Sequence, residues 1–188
     1  MKHTGSKILT TARLVLRPWK KDDAHDMYEN WAHDSDVTKY MTWLPHGSEA
    51  DTRALLTVWE EESKLPTTYH WAITTRKNGK LIGDICAVDV NETNERCTIG
   101  YCLMKAEWGK GVMTEALEEV LRYLFEEVGF HRVIGQHVAE NIGSSRVMEK
   151  CGLRYEGLLR RQMRLPSSGE WADIVTRGIL REDFLKRS

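Results

Sequence analysis

An excess of charge of either sign is missing: 27 lysines and arginines stand against 28 aspartates and glutamates, a formal net charge of -1. No global field therefore draws this protein toward nucleic acid or an anionic membrane. Long apolar runs are missing too, since no stretch approaches the roughly 18 residues of a membrane span. The first residues, MKHTGSKILTTARLVLRP, break their apolar run after Ile8 and Leu9, so no secretory signal is expected and the cytoplasm is the expected compartment. Cysteine is sparse. Cys86, Cys97, Cys102 and Cys151 form no CxxC pair and are expected to be buried, reduced thiols. Seven histidines include no HExxH or paired ligand spacing, so no metal is expected. Prolines number only four, with no repeat or low-complexity run, while 41% of residues are hydrophobic and 29% charged. Such a chain reads as one globular domain over 1–188.

What is present alternates between two periodicities. RLVLR at 13–17 reads as a strand. Asp22 or Asp23 then caps a helix with Ala24, Met27, Tyr28 and Trp31 on one face, and SEAD from Ser48 starts a second helix through Leu55, Leu56 and Trp59. From Tyr69 the period drops to two. YHWAIT, an Asn78-Gly79 turn, LIGDICAVDV, the polar NETNER and CTIGYCLM read as three strands in an antiparallel meander. A long helix follows with Met113, Ala116, Leu117, Val120, Leu121, Leu124, Phe125 and Val128 on one stripe, and Gly129 sits at its left-handed C-terminal cap. HRVIGQHVA is a strand, Asn141 caps a short helix through Lys150, and YEGLLRRQMRL and WADIVTRGIL are two last strands. The order predicts a mixed α/β (α+β) domain.

The segment Trp108-Gly109-Lys110-Gly111-Val112-Met113-Thr114 joins a strand to the long helix. A helix N-terminus offers unpaired N–H groups and the positive end of the dipole, and glycine lets an anion approach the backbone. A tight strand-to-helix turn would also explain two glycines. A Walker loop is excluded by Met104 five residues ahead of the Gly-Lys and by Gly111 after it. A dinucleotide fingerprint would need a third glycine where Thr114 stands, within a parallel unit that the meander argues against.

With these residues in view, the chain resembles the GNAT superfamily of acetyl-CoA-dependent N-acetyltransferases. The family's loop signature, Gln or Arg, two residues, Gly, one residue, Gly or Ala, falls on Trp108 to Met113, with Gly111 its strict match. The wider context resembles the branch that acetylates the N-terminal serine or alanine of ribosomal proteins. That branch commonly reads W-G-K-G and then [ST]-E-A-L, as from Trp108 to Leu117 here. It also carries Gly-Tyr, here Gly100-Tyr101, then N-x-x-S from Asn141 to Ser144, R-V-x-E-K-x-G from Arg146 to Gly152, and Glu156-Gly157.

The resemblance implies a central, mostly antiparallel sheet with a splayed strand pair, flanked by helices. It implies that the pantetheine arm of acetyl-CoA pairs with the strand Cys97 to Met104, through Leu103 and Met104, and that the pyrophosphate sits on the loop from Trp108, Gly109, Lys110 and Gly111 to Val112, Met113 and Thr114, with Arg146 nearby. Acetyl transfer would be direct. Asn141 is expected to contact the pantetheine amides and Ser144 to give the leaving thiolate its proton, because Met148 stands where many relatives have tyrosine. Helix capping is the structural alternative for both.

The amine must be neutral to attack. Near pH 7.4 a peptide α-amine costs roughly 0.5 kcal/mol to deprotonate and a lysine roughly 4 kcal/mol. That favours an α-amine, because Thr98 stands where relatives often place a glutamate base and Met163 where the ribosomal branch has a second acid. Asp84, Glu92 and Glu95 are low-ranked candidates for the base. Trp43 could line the acceptor's mouth, and Arg160, Arg161 and Arg164 read as an exposed strand face. The expected partners are acetyl-CoA and a peptide or protein N-terminus, with no membrane or direct nucleic-acid contact, in a monomer or homodimer. A small amine such as an antibiotic, polyamine or amino acid, or a silent coenzyme A-binding module, is the alternative.

Overall fold

The computed structural model describes residues 1–187. Its strands are β1 (Leu9–Thr10), β2 (Leu14–Arg17), β3 (Tyr69–Thr75), β4 (Leu81–Asn91), β5 (Arg96–Leu103), β6 (Arg132–Val138), β7 (Arg154–Arg164) and β8 (Trp171–Leu180). Its helices are α1 (Ala24–Met27), α2 (Ser35–Thr38), α3 (Glu49–Glu62), α4 (Val112–Arg122), α5 (Ile142–Lys150) and α6 (Arg181–Leu185). One sheet runs in the order β1-β2-β3-β4-β5-β6-β8-β7. Every pairing is antiparallel except β5 with β6.

The meander follows from its turns. Gly79 takes the positive φ of 69° that the β3–β4 turn requires, and Glu95 takes 44° in the β4–β5 turn. From β5 the chain crosses over through α4 and re-enters the sheet as β6, which makes that pair parallel. The α4 stripe is dry: Ala116, Leu117, Val120, Leu121, Leu124 and Phe125 are all 0% exposed. Beneath it Trp71 and Tyr123 meet edge to face at 5.8 Å and 88°. Burying each aliphatic side chain of this stripe contributes about 1.5–3 kcal/mol, so α4 is held firmly against the sheet.

Some elements were not foreseen. The expected first helix is broken into a 3-10 turn at Lys21–Asp23, α1, and a wider π turn at Tyr28–Ala32. The start is held by Asp23, whose carboxylate accepts from Lys20 N and from both terminal nitrogens of Arg17. The wide turn brings Trp31 to complete burial. α4 likewise loosens into a π segment at Tyr123–Val128 before Gly129 ends it with φ of 90°. Short α2, capped by the Asp34 carboxylate on Asp36 N, and terminal α6 lack the length that gives a helix a readable period.

α4 and α5 cover one face of the sheet: Tyr123 packs on Trp71 and Tyr69, and Met148 lies over Gly135. α3 covers the other, where Trp59 and Trp19 enclose His70. Among the described residues no helix is long and apolar enough to cross a membrane.

Candidate active site

The parallel β5–β6 pairing consists of Arg96↔Arg132, Cys97↔Val133, Thr98↔Ile134 and Ile99↔Gly135, and then stops. Both strands continue, β5 to Leu103 and β6 to Val138, so the sheet opens into a wedge-shaped gap. Backbone phase decides which groups face it. Met104 N–H donates to Ile82 O at 2.9 Å, in continuation of the β4–β5 ladder. Since strand groups alternate with a period of two, Cys102 and Gly100 also point to β4, and Tyr101 and Leu103 point into the gap. The expectation for Met104 is corrected accordingly: its N–H is spent on Ile82 and its carbonyl accepts from Glu107 N at 3.0 Å. Leu103 keeps a free N–H, while its carbonyl accepts from the Trp108 indole at 2.7 Å. Tyr101 presents the second N–H on this edge.

At the mouth of the gap stands the glycine loop. Gly109 and Gly111 both have φ of 74°, and Gly111 is the N-terminal cap of α4. The first intrahelical bond is Glu115 N to Gly111 O, which leaves the N–H groups of Val112, Met113 and Thr114 at the helix start without an intrahelical acceptor. The side chains of Val112 and Met113 are buried behind them. Lys110 is exposed and pairs with Glu107 at 3.3 Å. The loop's rear is clamped: Arg13 donates to the Lys110 carbonyl at 3.0 Å and to Glu115 at 2.6 Å, and Thr11 also donates to Glu115. Burial would raise the Glu115 carboxyl, but the hydrogen bonds from Thr11 and Arg13 outweigh it and hold the group below its ordinary value.

α5 forms the other lip. Asn141 caps it, its side-chain oxygen accepting from Ser144 N at 3.1 Å. Ser144 is not spent on capping alone, because its hydroxyl lies 2.8 Å from the Tyr101 hydroxyl, which also donates to the Ser144 carbonyl at 3.1 Å. Tyr101 thus spans from the open edge of β5 to α5. Burial raises its phenol pKa, against the opposing effect of the Ser144 bond, and the group carries its proton at neutral pH. Met148 is 1% exposed and seated over Gly135, so this position is core. Arg146 is exposed on α5, with no ion pair among the described residues.

On the α3 side, Thr98 lies within the paired part of β5, and Met163 packs with Tyr40 against Val138, Leu165, Ala172 and Ile174. Glu92 faces His3 at 3.5 Å and Glu95 the N-terminal amine at 3.6 Å. Both sit at the β4–β5 turn, beyond the closed end of the gap. Asp84 is held differently: its carboxylate meets His70 Nε2 at 3.1 Å. Trp43 is partly buried beside His46, and Arg160, Arg161 and Arg164 are exposed on the outer strand β7. Cys97, Cys102 and Cys151 are buried and Cys86 half-buried, all unpaired; burial pushes the Cys86 and Cys97 thiols up to about 12. Neither the Tyr101–Ser144 contact nor the contact between His70 and Asp84 was legible in the sequence. Gly100-Tyr101 was visible as a pair, but its reach to Ser144 depends on the crossover.

A splayed parallel pair with a glycine-capped helix at its mouth defines an acyl-coenzyme A transferase architecture, and residues 13–154 match the acetyltransferase (GNAT) domain. The chain belongs to that family. It is 35% identical over 174 residues to the probable N-acetyltransferase YjcK of Bacillus subtilis strain 168, covering 90% of this chain and 95% of that one. It is 25% identical to the [ribosomal protein uS5]-alanine N-acetyltransferase of Escherichia coli K12, over 94% and 92% of the two chains. A crystal structure of a GNAT-family acetyltransferase from Bacillus anthracis superposes with a TM-score of 0.81 at 29% identity, covering 94% of this chain and 99% of that one. The protein is therefore an N-acetyltransferase that uses acetyl-CoA.

Proposed function

We propose that this enzyme acetylates an α-amine at a protein or peptide N-terminus, in the cytoplasm, as a monomer or homodimer. The observation that carries the reading is that no carboxylate stands on the open edge itself: Thr98 and Met163 bring none, Glu92 and Glu95 are engaged at the far turn, and Asp84 stands one strand back against His70. A peptide α-amine is largely deprotonated by solvent near neutral pH, at a cost of roughly 0.5 kcal/mol, whereas a lysine would ask the site for roughly 4 kcal/mol. Similarity to a ribosomal-protein alanine acetyltransferase along most of the chain supports the same reading.

The residues present fit acetyl-CoA. Tyr101 and Leu103 offer backbone N–H groups along the pantetheine arm. The α4 N-terminus from Trp108 through Thr114 offers a glycine-lined anion site, with Lys110 and Arg146 as exposed cations around it. Acetyl-CoA supplies an activated thioester and a thiolate leaving group. Ser144, joined by Tyr101, stands ready to return a proton to that sulfur, and Asn141 holds Ser144 in place by capping α5. Ser144→Ala and Tyr101→Phe are expected to lower kcat by roughly 10- to 100-fold with acetyl-CoA affinity nearly unchanged. Calorimetry beside steady-state rates checks this, and an unchanged kcat in both variants would remove the pair from the reaction.

The acceptor class is tested by incubating enzyme and acetyl-CoA with peptides beginning in Ser, Ala or Thr, and separately with assorted small amines, followed by mass spectrometry. Acetylated peptides are expected. Product among the small amines alone moves the protein to metabolite or drug modification, and product in neither pool favours a silent coenzyme A-binding module.

A further inference from the structure

Attack on the thioester leaves a positive charge on nitrogen, and that nitrogen must lose a proton on the side of the sheet away from the coenzyme. The acceptor has to be sought among groups on that side. α4 and α5 cover one face, where His137 is buried with its Nδ1–H on the Val138 carbonyl and Glu149 pairs with Arg177 at 2.5 Å. Both stand on the coenzyme side. On the opposite face, Asp84 of β4 is the cross-strand partner of Cys102, which flanks the gap three residues beyond its closed end at Ile99. Directly paired backbones of this kind lie about 5.5 Å apart, so the Asp84 carboxylate stands one strand from the open edge. The Cys102 side chain lies on that face between Asp84 and the gap, while Gly100, opposite Cys86, leaves the edge beside it bare.

We propose that Asp84 is the base of this acetyltransferase and that His70 positions it. One carboxylate oxygen, Oδ2, meets His70 Nε2 at 3.1 Å, and the other has no partner among the described hydrogen bonds. The imidazole is flanked by Trp59 and Trp19, with ring centroids at 4.3 and 5.8 Å, and the His70 main chain is held by its N–H donating to Ser6 Oγ at 2.8 Å. Asp84 and His70 side chains are 13% and 15% exposed, shielded enough to stay ordered and open enough to exchange protons with solvent.

The balance of the step asks only for modest basicity. The neutral amine's lone pair forms the N–C bond to the acetyl carbon, and the C–S bond breaks with its electron pair left on sulfur. A nitrogen bonded to that carbon is far more acidic than an ammonium, and a carboxylate takes its proton downhill. The free oxygen of Asp84 receives the proton and later yields it to solvent, while the sulfur is protonated from the Tyr101–Ser144 side. The inference rests on acetyl transfer to an amine and not on the acceptor being a peptide.

The test uses the full chain with acetyl-CoA and two acceptors, a peptide beginning with alanine and benzylamine. Asp84→Ala and Asp84→Asn are expected to lose roughly 100-fold in kcat, with acetyl-CoA affinity by calorimetry unchanged. Added formate is expected to restore part of the rate of Asp84→Ala, which a packing defect would not permit. His70→Ala should lose rate and His70→Gln, which keeps an N–H donor, should regain much of it. Full activity in a folded Asp84→Asn overturns the proposal, as does loss without formate rescue. Turnover of benzylamine alone would overturn the peptide reading and still test Asp84 on that amine. The pairing is also read without turnover: the 15N shift of His70 Nε2 is expected to move in Asp84→Asn, and an unmoved signal refutes it.

Discussion

Gly111→Val is expected to abolish measurable acetyl-CoA binding, a loss of at least roughly 100-fold, in a protein that still folds. Gly111 sits at φ of 74° and ψ of 9° as the cap of α4, a region where a β-branched residue costs on the order of 1–3 kcal/mol. A domain with roughly 5–15 kcal/mol of stability survives that cost. The strain is relieved by rotating the loop peptide, and rotation turns away the N–H groups of Val112 and Met113 that the anion needs. Gly109 separates geometry from space: a Cβ there meets nothing within 4 Å, so any defect of Gly109→Ala comes from its φ alone. Calorimetric titration of the folded variant decides, and normal affinity for Gly111→Val would end the assignment of this loop to phosphate.

Gly83→Ala is expected to strike stability and rate together. A Cβ at Gly83 would lie 2.4 Å from the Cys102 carbonyl oxygen and 3.1 Å from both Leu103 Cα and Leu103 Cδ1. Two of these three atoms are backbone, which cannot rotate out of the way, so β5 must shift away from β4. Such overpacking costs about 1–3 kcal/mol, and in a chain of this size each kcal/mol lowers Tm by about 2–4 °C. Because the displaced segment carries Tyr101 and Leu103, KM for acetyl-CoA is expected to rise as well. A melting curve and a KM that both match the unmutated protein would show that the ladder yields without cost.

The parts of the fold legible in the sequence are those written in short-range chemistry. β3, β4 and β5 were readable because Asn78-Gly79 fixes one turn and the apolar period of two runs on either side. α4 was readable from its stripe, and Gly111 from the strand-to-helix junction. The phase of the β5 ladder was not: whether Leu103 or Met104 faces the gap depends on which carbonyl of β4 Met104 reaches, and no local pattern encodes that. The Asp84–His70 contact was hidden for a related reason. The two lie on neighbouring strands whose register shifts at Ile73 and Thr74, so counting back from the turn does not align them. α6 and the π turn at Tyr28–Ala32 are set by packing against the rest of the chain, which overrides local preference.

The opening between β5 and β6 carries one more implication. The hydrogen bonds it offers come from the main chain at Tyr101 and Leu103, and every amino acid except proline supplies the same N–H. Side-chain replacement along that edge can therefore reshape the walls of the reaction chamber, and with them the choice of acceptor, while the grip on the donor persists. The architecture separates what is held from what is modified: one half is written in backbone and resists drift, and the other is written in side chains and is free to be retuned.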